Sequence, residues 1–125
     1  MTNYHLIHVA TGEPVIKKLK IANTWISRLF GLLPESYLGR EDGLWLLPCT
    51  SIHTVGMRFS IDVIFLDKNF KIMKLKKNLK PFRFCLSFRN TYSVLELSSG
   101  VIDSCNLNCG DSLRVLSSPV MSGVK

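Results

Sequence analysis

The sequence lacks a basic N-terminal stretch followed by a short apolar block, so its first sixteen residues do not read as a secretory leader. It also lacks any apolar run near the ~20 residues that cross a bilayer as a helix. No membrane span is expected, and a cytoplasmic location is. Cysteine is too sparse for a disulfide-stapled or zinc-held domain. Of Cys49, Cys85, Cys105 and Cys109, only the last two are close in sequence, and there is no second pair and no His-x3-His spacing. Four reduced thiols, no metal site and no cofactor are expected. Acidic residues are in the minority, nine against sixteen basic ones, for a formal charge of +7. That balance favours contact with anions, whether small ligands, nucleic acid or membrane surfaces. Repeats, linkers and low-complexity stretches are absent. The 125 residues therefore read as a single domain, 1–125, with a flexible tail over 117–125.

What is present is a series of short apolar–polar alternations separated by turn residues. Tyr4–Ala10 and Val15–Ile21 flank Thr11-Gly12-Glu13-Pro14 and predict a hairpin, with His5 and His8 partly exposed on opposite faces of the first strand. Asn23 or Thr24 can cap a helix carrying Trp25, Leu29 and Leu32 at helical spacing, with Ile26, Phe30 and Leu33 beside them, stopped by Pro34. That helix is apolar nearly all round and so is expected to cover a sheet. Arg28 is its one charge, either packing its stem with the head in solvent or facing a site as an anion-binding group. Further strands are expected at Leu44–Leu47, Phe59–Asp67, Phe70–Lys76, Phe82–Phe88, Tyr92–Leu97 and Ser112–Leu116, with a turn or short helix over 98–107. The fold class that follows is mainly β: a small β-barrel or rolled sheet with one or two short covering helices.

Polar residues concentrate against the longest apolar run, in Leu47–Asp67. Phe59–Asp67 is apolar on both faces after residue 62, which predicts a strand covered on both sides. Asp62 shares a face with Ile64 and Leu66, so it should be buried and in need of donors, with Arg58 and His53 nearest in sequence. Glu96, flanked by apolar residues in the Tyr92–Leu97 strand, is a second candidate buried carboxylate. Gly56 marks a turn or bulge that brings His53 and Arg58 together.

These residues resemble a known family. The run HTVGMRFSIDVIFLD is similar to the signature of DUF192, a family of domains of unknown function: His-Thr-aromatic-Gly-Met, a spacer, then an apolar-Asp-apolar strand. Arg28-Leu29-Phe30-Gly31-Leu32, Tyr92–Leu97 with Gly100, and Gly110-Asp111 extend the resemblance over roughly residues 21 to 116. It implies a compact β-rich domain and no particular activity. Val55 departs from the pattern, which has an aromatic there, and implies a smaller pocket wall.

Three functions can be built on these residues. The favoured one is a module binding a small anionic or polar molecule, or a peptide end, in a polar pocket at the signature, with His53, Thr54, Met57, Arg58, Asp62, Glu96 and Arg28 as ligand-binding residues. The second is an enzyme in the same pocket. Cys49 and His53 would form a nucleophile pair oriented by Asp62, or Asp62 and Glu96 would divide acid and base work, or His53 with either carboxylate would hold a metal. No nucleophile elbow accompanies these residues. The third is nucleic-acid binding through Lys68, Lys71, Lys74, Lys76, Lys77, Lys80 and Arg83, with Phe70, Phe82 and Phe84 nearby. It is disfavoured, because lysines at alternate strand positions commonly form a solvated face. Nothing in the sequence sets an oligomeric state.

Overall fold

The computed structural model describes residues 2–24, 37–49, 51–86 and 90–119. Among them run nine strands: β1 (Thr2–His8), β2 (Pro14–Ala22), β3 (Asp42–Leu46), β4 (Ser51–His53), β5 (Ile61–Leu66), β6 (Ile72–Leu79), β7 (Phe84–Leu86), β8 (Ser93–Ser98) and β9 (Leu113–Pro119). One four-residue helix, α1 (Val101–Ser104), lies between β8 and β9. The helix expected at Asn23–Leu33, with Arg28, falls mostly on 25–36, outside the described residues.

Seven strands form one sheet in the order β6-β5-β8-β3-β2-β1-β9, and β4 pairs with β7 in a separate two-stranded ribbon. β1 and β2 make the expected hairpin, as do β5 and β6. β2 and β3 run parallel, which requires the chain between them to cross over rather than turn back. The sheet is rolled, and its two edge strands meet at one corner. There Lys71 bridges Ser112, the Ile72 N–H donates to the Asp111 carbonyl and the Gly110 N–H to the Ile72 carbonyl, both at 2.8 Å. The mainly β rolled sheet with a short helix is the architecture that the alternating pattern implied.

Rolling creates two cores, one on each face of β3, β5 and β8. Residues alternate along a strand, so Ile64, Leu66, Trp45, Leu95 and Leu97 face the first core with α1, while Val63, Phe65, Leu44, Leu46 and Val94 face the second. The β4–β7 ribbon closes the second core with Ile52 and Cys85. All six residues of β5 are buried, as expected for a strand covered on both sides.

Three differences from the sequence reading have physical causes. His8 is buried rather than partly exposed, because rolling brings the Gly110–Asp111 turn against it. Its Nε2 lies 3.2 Å from Asp111 Oδ2, without hydrogen-bond alignment. β6 continues past Lys76 to Leu79 because a bulge opposite Asp62 absorbs the change in register. β9 continues past Leu116 to Pro119, paired with β1. No disulfide joins Cys49, Cys85, Cys105 or Cys109.

Candidate functional site

The signature turn is organised by Thr54. The Met57 N–H donates to the Thr54 carbonyl at 3.1 Å, and Gly56 sits at the third turn position with φ 88°, where a positive φ favours glycine. The same carbonyl accepts the Phe82 N–H at 3.0 Å, and the Thr54 N–H donates to the Arg83 carbonyl at 2.8 Å. The hydroxyl donates to the Lys80 carbonyl at 2.6 Å and accepts the Arg83 N–H at 2.9 Å. Thr54 is fully buried. It therefore pins the 80–83 loop to the turn through both its backbone and its side chain. The loop is held so firmly that Phe82 adopts φ 62°, a conformation costing a bulky residue ~1–3 kcal/mol.

Removing only the hydroxyl should expose this dependence. Thr54→Val keeps the shape but leaves the Lys80 carbonyl and the Arg83 N–H without a partner. A loss of about 2–3 kcal/mol in urea unfolding is expected, with Thr54→Ser close to wild type. Equal stability of the valine variant would show that solvent replaces the hydroxyl.

Asp62 faces the first core, not the signature. Its register partner on β8 is Leu97, which lies on that side. Its Oδ1 accepts the Asn78 N–H at 2.9 Å, and its Oδ2 accepts the Gly100 N–H at 3.1 Å and the Ile102 N–H at 2.9 Å. The carboxylate thus fills the β6 bulge and caps the first turn of α1, whose N–H groups have no partner within the helix. Ser99 Oγ donates to Asn78 Oδ1 at 2.8 Å, and Lys77 pairs with Asp103 at 2.7 Å, tying the same two segments together. Asp62 is buried and fully bonded, but its partners come from β6 and α1 rather than from His53 or Arg58.

Glu96 faces the second core, between Leu44 on β3 and Val63 on β5. It is buried, and among the described residues its Oε1 has no hydrogen-bond partner. Burial among apolar neighbours pushes its carboxyl up to about 7 from an ordinary 4.5. Met57 and Ile52 of the signature belong to the same core. His53, paired with Phe84 across the ribbon, is half-buried, with its ring 6.1 Å from the Phe84 ring and its Nδ1 buried without a partner among the described residues. Arg58, directly after Met57, is exposed.

The sequence-predicted set thus divides. Thr54, Met57, His53 and Glu96 belong to the turn, the ribbon and the second core, with Arg58 on the adjoining surface. Asp62 lies through the sheet on the other side, and Arg28 is outside the described residues. The divided acid–base pair fails because neighbouring positions in register, Asp62 and Glu96, project to opposite faces. The Cys49–His53–Asp62 arrangement fails for the same reason: the bonds of Asp62 all go to backbone N–H groups, and Cys49 Sγ donates to the Ser51 carbonyl at 3.1 Å. Val55 is exposed and so does not form a pocket wall. Among the described residues, no three His, Cys, Asp or Glu side chains stand together as metal ligands.

The basic 68–83 segment is dispersed. Lys77 is paired with Asp103, and Lys74 Nζ sits 5.4 Å above the Phe65 ring. Two concavities among the described residues lie away from the signature. One, of about 350 Å³, is lined by Asp67, Lys68, Asn69, Met73, Asn90, Thr91 and Tyr92. The other, of about 260 Å³, lies between Val15 and Arg40. The sequence reading missed the partners of Asp62. Their signal was present, since Asn78 and Gly100, with φ 52° and 99°, are residue types that tolerate left-handed backbone.

Comparisons with known proteins agree with this fold. The model of the DUF192 family, described as "Uncharacterized ACR", matches residues 7–115. The chain is 30% identical over 117 residues to a UPF0127 protein of Pyrococcus furiosus, covering 87% of this chain and 96% of that one. It is 33% identical over 113 residues to a UPF0127 protein of Thermococcus sibiricus, covering 86% and 72%. A crystal structure of a protein of unknown function from Novosphingobium aromaticivorans superposes with a TM-score of 0.77 at 20% identity, covering 89% of this chain and 82% of that one. Among the described residues, no helix is long and apolar enough to cross a membrane.

Proposed function

The chain belongs to the DUF192 family, and we propose that it is a binding module for a small polar or anionic molecule or a peptide end, held on the signature side of the sheet. The observation that carries this reading is Glu96. Buried polar atoms are nearly always satisfied, yet among the described residues its Oε1 is buried without a partner in the core that Ile52 and Met57 help to close. A leucine there would pack at lower cost. Among the described residues, a second unpartnered buried atom, Nδ1 of His53, lies on the other face of the β4–β7 ribbon, beside Phe84, and does not belong to this core. Burial favours the neutral carboxyl, which both donates and accepts, so it suits an amide, an amine or a carboxyl group. Arg58 supplies a cation at the rim for a negatively charged end. A cytoplasmic location fits thiols outside disulfides.

The test is a thermal-shift series with phosphate, acetate, acetamide and diglycine. At least one should raise the Tm, with the anion effect lost in Arg58→Ala and the amide effect lost in Glu96→Leu. No shift with any of the four would overturn the reading.

A further inference from the structure

The ribbon side away from the second core carries a second feature, independent of Glu96. Phe82 and Phe84 are 67% and 73% exposed, and Val55 is 39% exposed. Large apolar side chains in this state on a soluble surface mark an interaction site when they are grouped. These three are grouped, because the Thr54 carbonyl that receives the Phe82 N–H immediately precedes Val55, and His53 pairs with Phe84. Three cations stand among them. Lys80 and Arg83 flank Phe82 in sequence, and Arg58 follows the turn. All three are exposed, and among the described residues none is in an ion pair.

From this grouping we infer that the tip formed by the signature turn, the 80–83 loop and the start of β7 is a peripheral docking surface for an anionic lipid bilayer. Its aromatic and aliphatic side chains enter the interface while Arg58, Lys80 and Arg83 contact lipid phosphates. The choice of partner follows from the geometry and the charge. Rings exposed by two thirds or more stand clear of the surface instead of lining a groove, and such groups suit a fluid phase better than a shaped protein partner. Aromatic rings at the headgroup level with basic residues around them are the combination that anchors proteins to membrane interfaces. Single-stranded nucleic acid would want ring faces along a phosphate-tracking groove, and Val55 offers no face to stack on. The charges add the complementary term: an anionic leaflet attracts basic residues near its surface, and the whole chain carries +7.

The tip is also preorganised. Thr54 fixes the loop from both sides, and Phe82 is held at φ 62° with its ring outward. A loop free to relax would leave that conformation. A rigid presentation lowers the ordering cost of docking.

Vesicle sedimentation with the whole chain tests the inference. Phosphatidylcholine vesicles are compared with phosphatidylcholine–phosphatidylserine vesicles. Binding to the mixed vesicles only is expected, weakening as salt is raised. Phe82→Asn suits the left-handed backbone and Phe84→Thr suits the strand, so both should fold, as thermal melting would verify. Each should weaken binding roughly tenfold or more through the lost apolar burial. Lys80→Gln should weaken it about fivefold. Phe84→Trp places an exposed reporter at the tip, and its emission should shift to the blue on adding mixed vesicles. No binding to mixed vesicles, binding unaffected by all three substitutions, or a tryptophan whose emission does not move would overturn the inference. So would binding of a single-stranded oligonucleotide through these residues in place of vesicles.

Discussion

Asp62→Ala should lower the stability by about 3–5 kcal/mol in urea unfolding. The magnitude follows from what the carboxylate holds. It accepts three backbone N–H groups, those of Asn78, Gly100 and Ile102. Each buried donor left without an acceptor costs ~1–3 kcal/mol, and water can reach only the less buried ones. The Tm should fall by roughly 15 °C or more for a domain of this size. Asp62→Asn is informative beside it. An amide keeps one acceptor but turns a donor toward N–H groups, so it should recover little of the loss. A cost below ~1 kcal/mol for alanine would mean that the bulge and the first turn of α1 satisfy themselves, and that Asp62 is not what joins them. Ligand binding on the signature side should survive in whatever fraction of Asp62→Ala stays folded, because Asp62 projects through the other face of the sheet.

That result would also explain why a polar residue interrupts an otherwise apolar strand. In the sequence, Asp62 stands within a few residues of His53 and Arg58, and proximity along the chain invites a shared site. The strand period of two decides otherwise. Asp62 alternates with Val63, so the residues that accompany it are Ile64, Leu66 and Leu97, while Val63 and Glu96 face the signature. Burial of both carboxyls could be read from their apolar flanks. Which side of the sheet each occupies could not, because that depends on the register between β5 and β8 and on the β4–β7 ribbon, both set by contacts far apart in sequence. The hairpins, the doubly covered β5 and the turn at Gly56 were legible because alternation and turn residues are local properties. The parallel pairing of β2 with β3, the burial of His8 against Asp111 and the continuation of β9 to Pro119 were not, since each results from rolling the sheet. The role of Thr54 was half legible. Its place in the signature marked it, but its bonds to Lys80 and Arg83 reach 26 and 29 residues along the chain, past the whole β5–β6 hairpin.

The second large effect concerns pH. Replacing Glu96 with Gln should change the stability difference from wild type by about 3 kcal/mol between pH 4.5 and pH 8. In the folded protein the Glu96 carboxyl is raised to about 7, against 4.5 for an ordinary one. Between these values the folded state holds a proton that the unfolded state has released. Stability then falls as pH rises, because unfolding releases protons and a higher pH favours the state with fewer bound. Below about pH 4.5 the group is neutral in both states and costs nothing extra. Above about 7 the charge must be carried in a core lined by Leu44 and Val63, and the full penalty applies. The separation of the two values, at ~1.4 kcal/mol per unit, gives the 3 kcal/mol. Glutamine has no charge to bury, so its stability should lack this slope, and Glu96→Gln should exceed wild type most at pH 8. Urea unfolding of both proteins across this range provides the measurement. A difference that does not change with pH would mean that the carboxyl already has a donor, and the unpartnered oxygen on which the binding proposal rests would be lost with it. The predicted slope would instead identify Glu96 as a group held at a cost to the fold, on the side of the sheet where the signature turn closes the core.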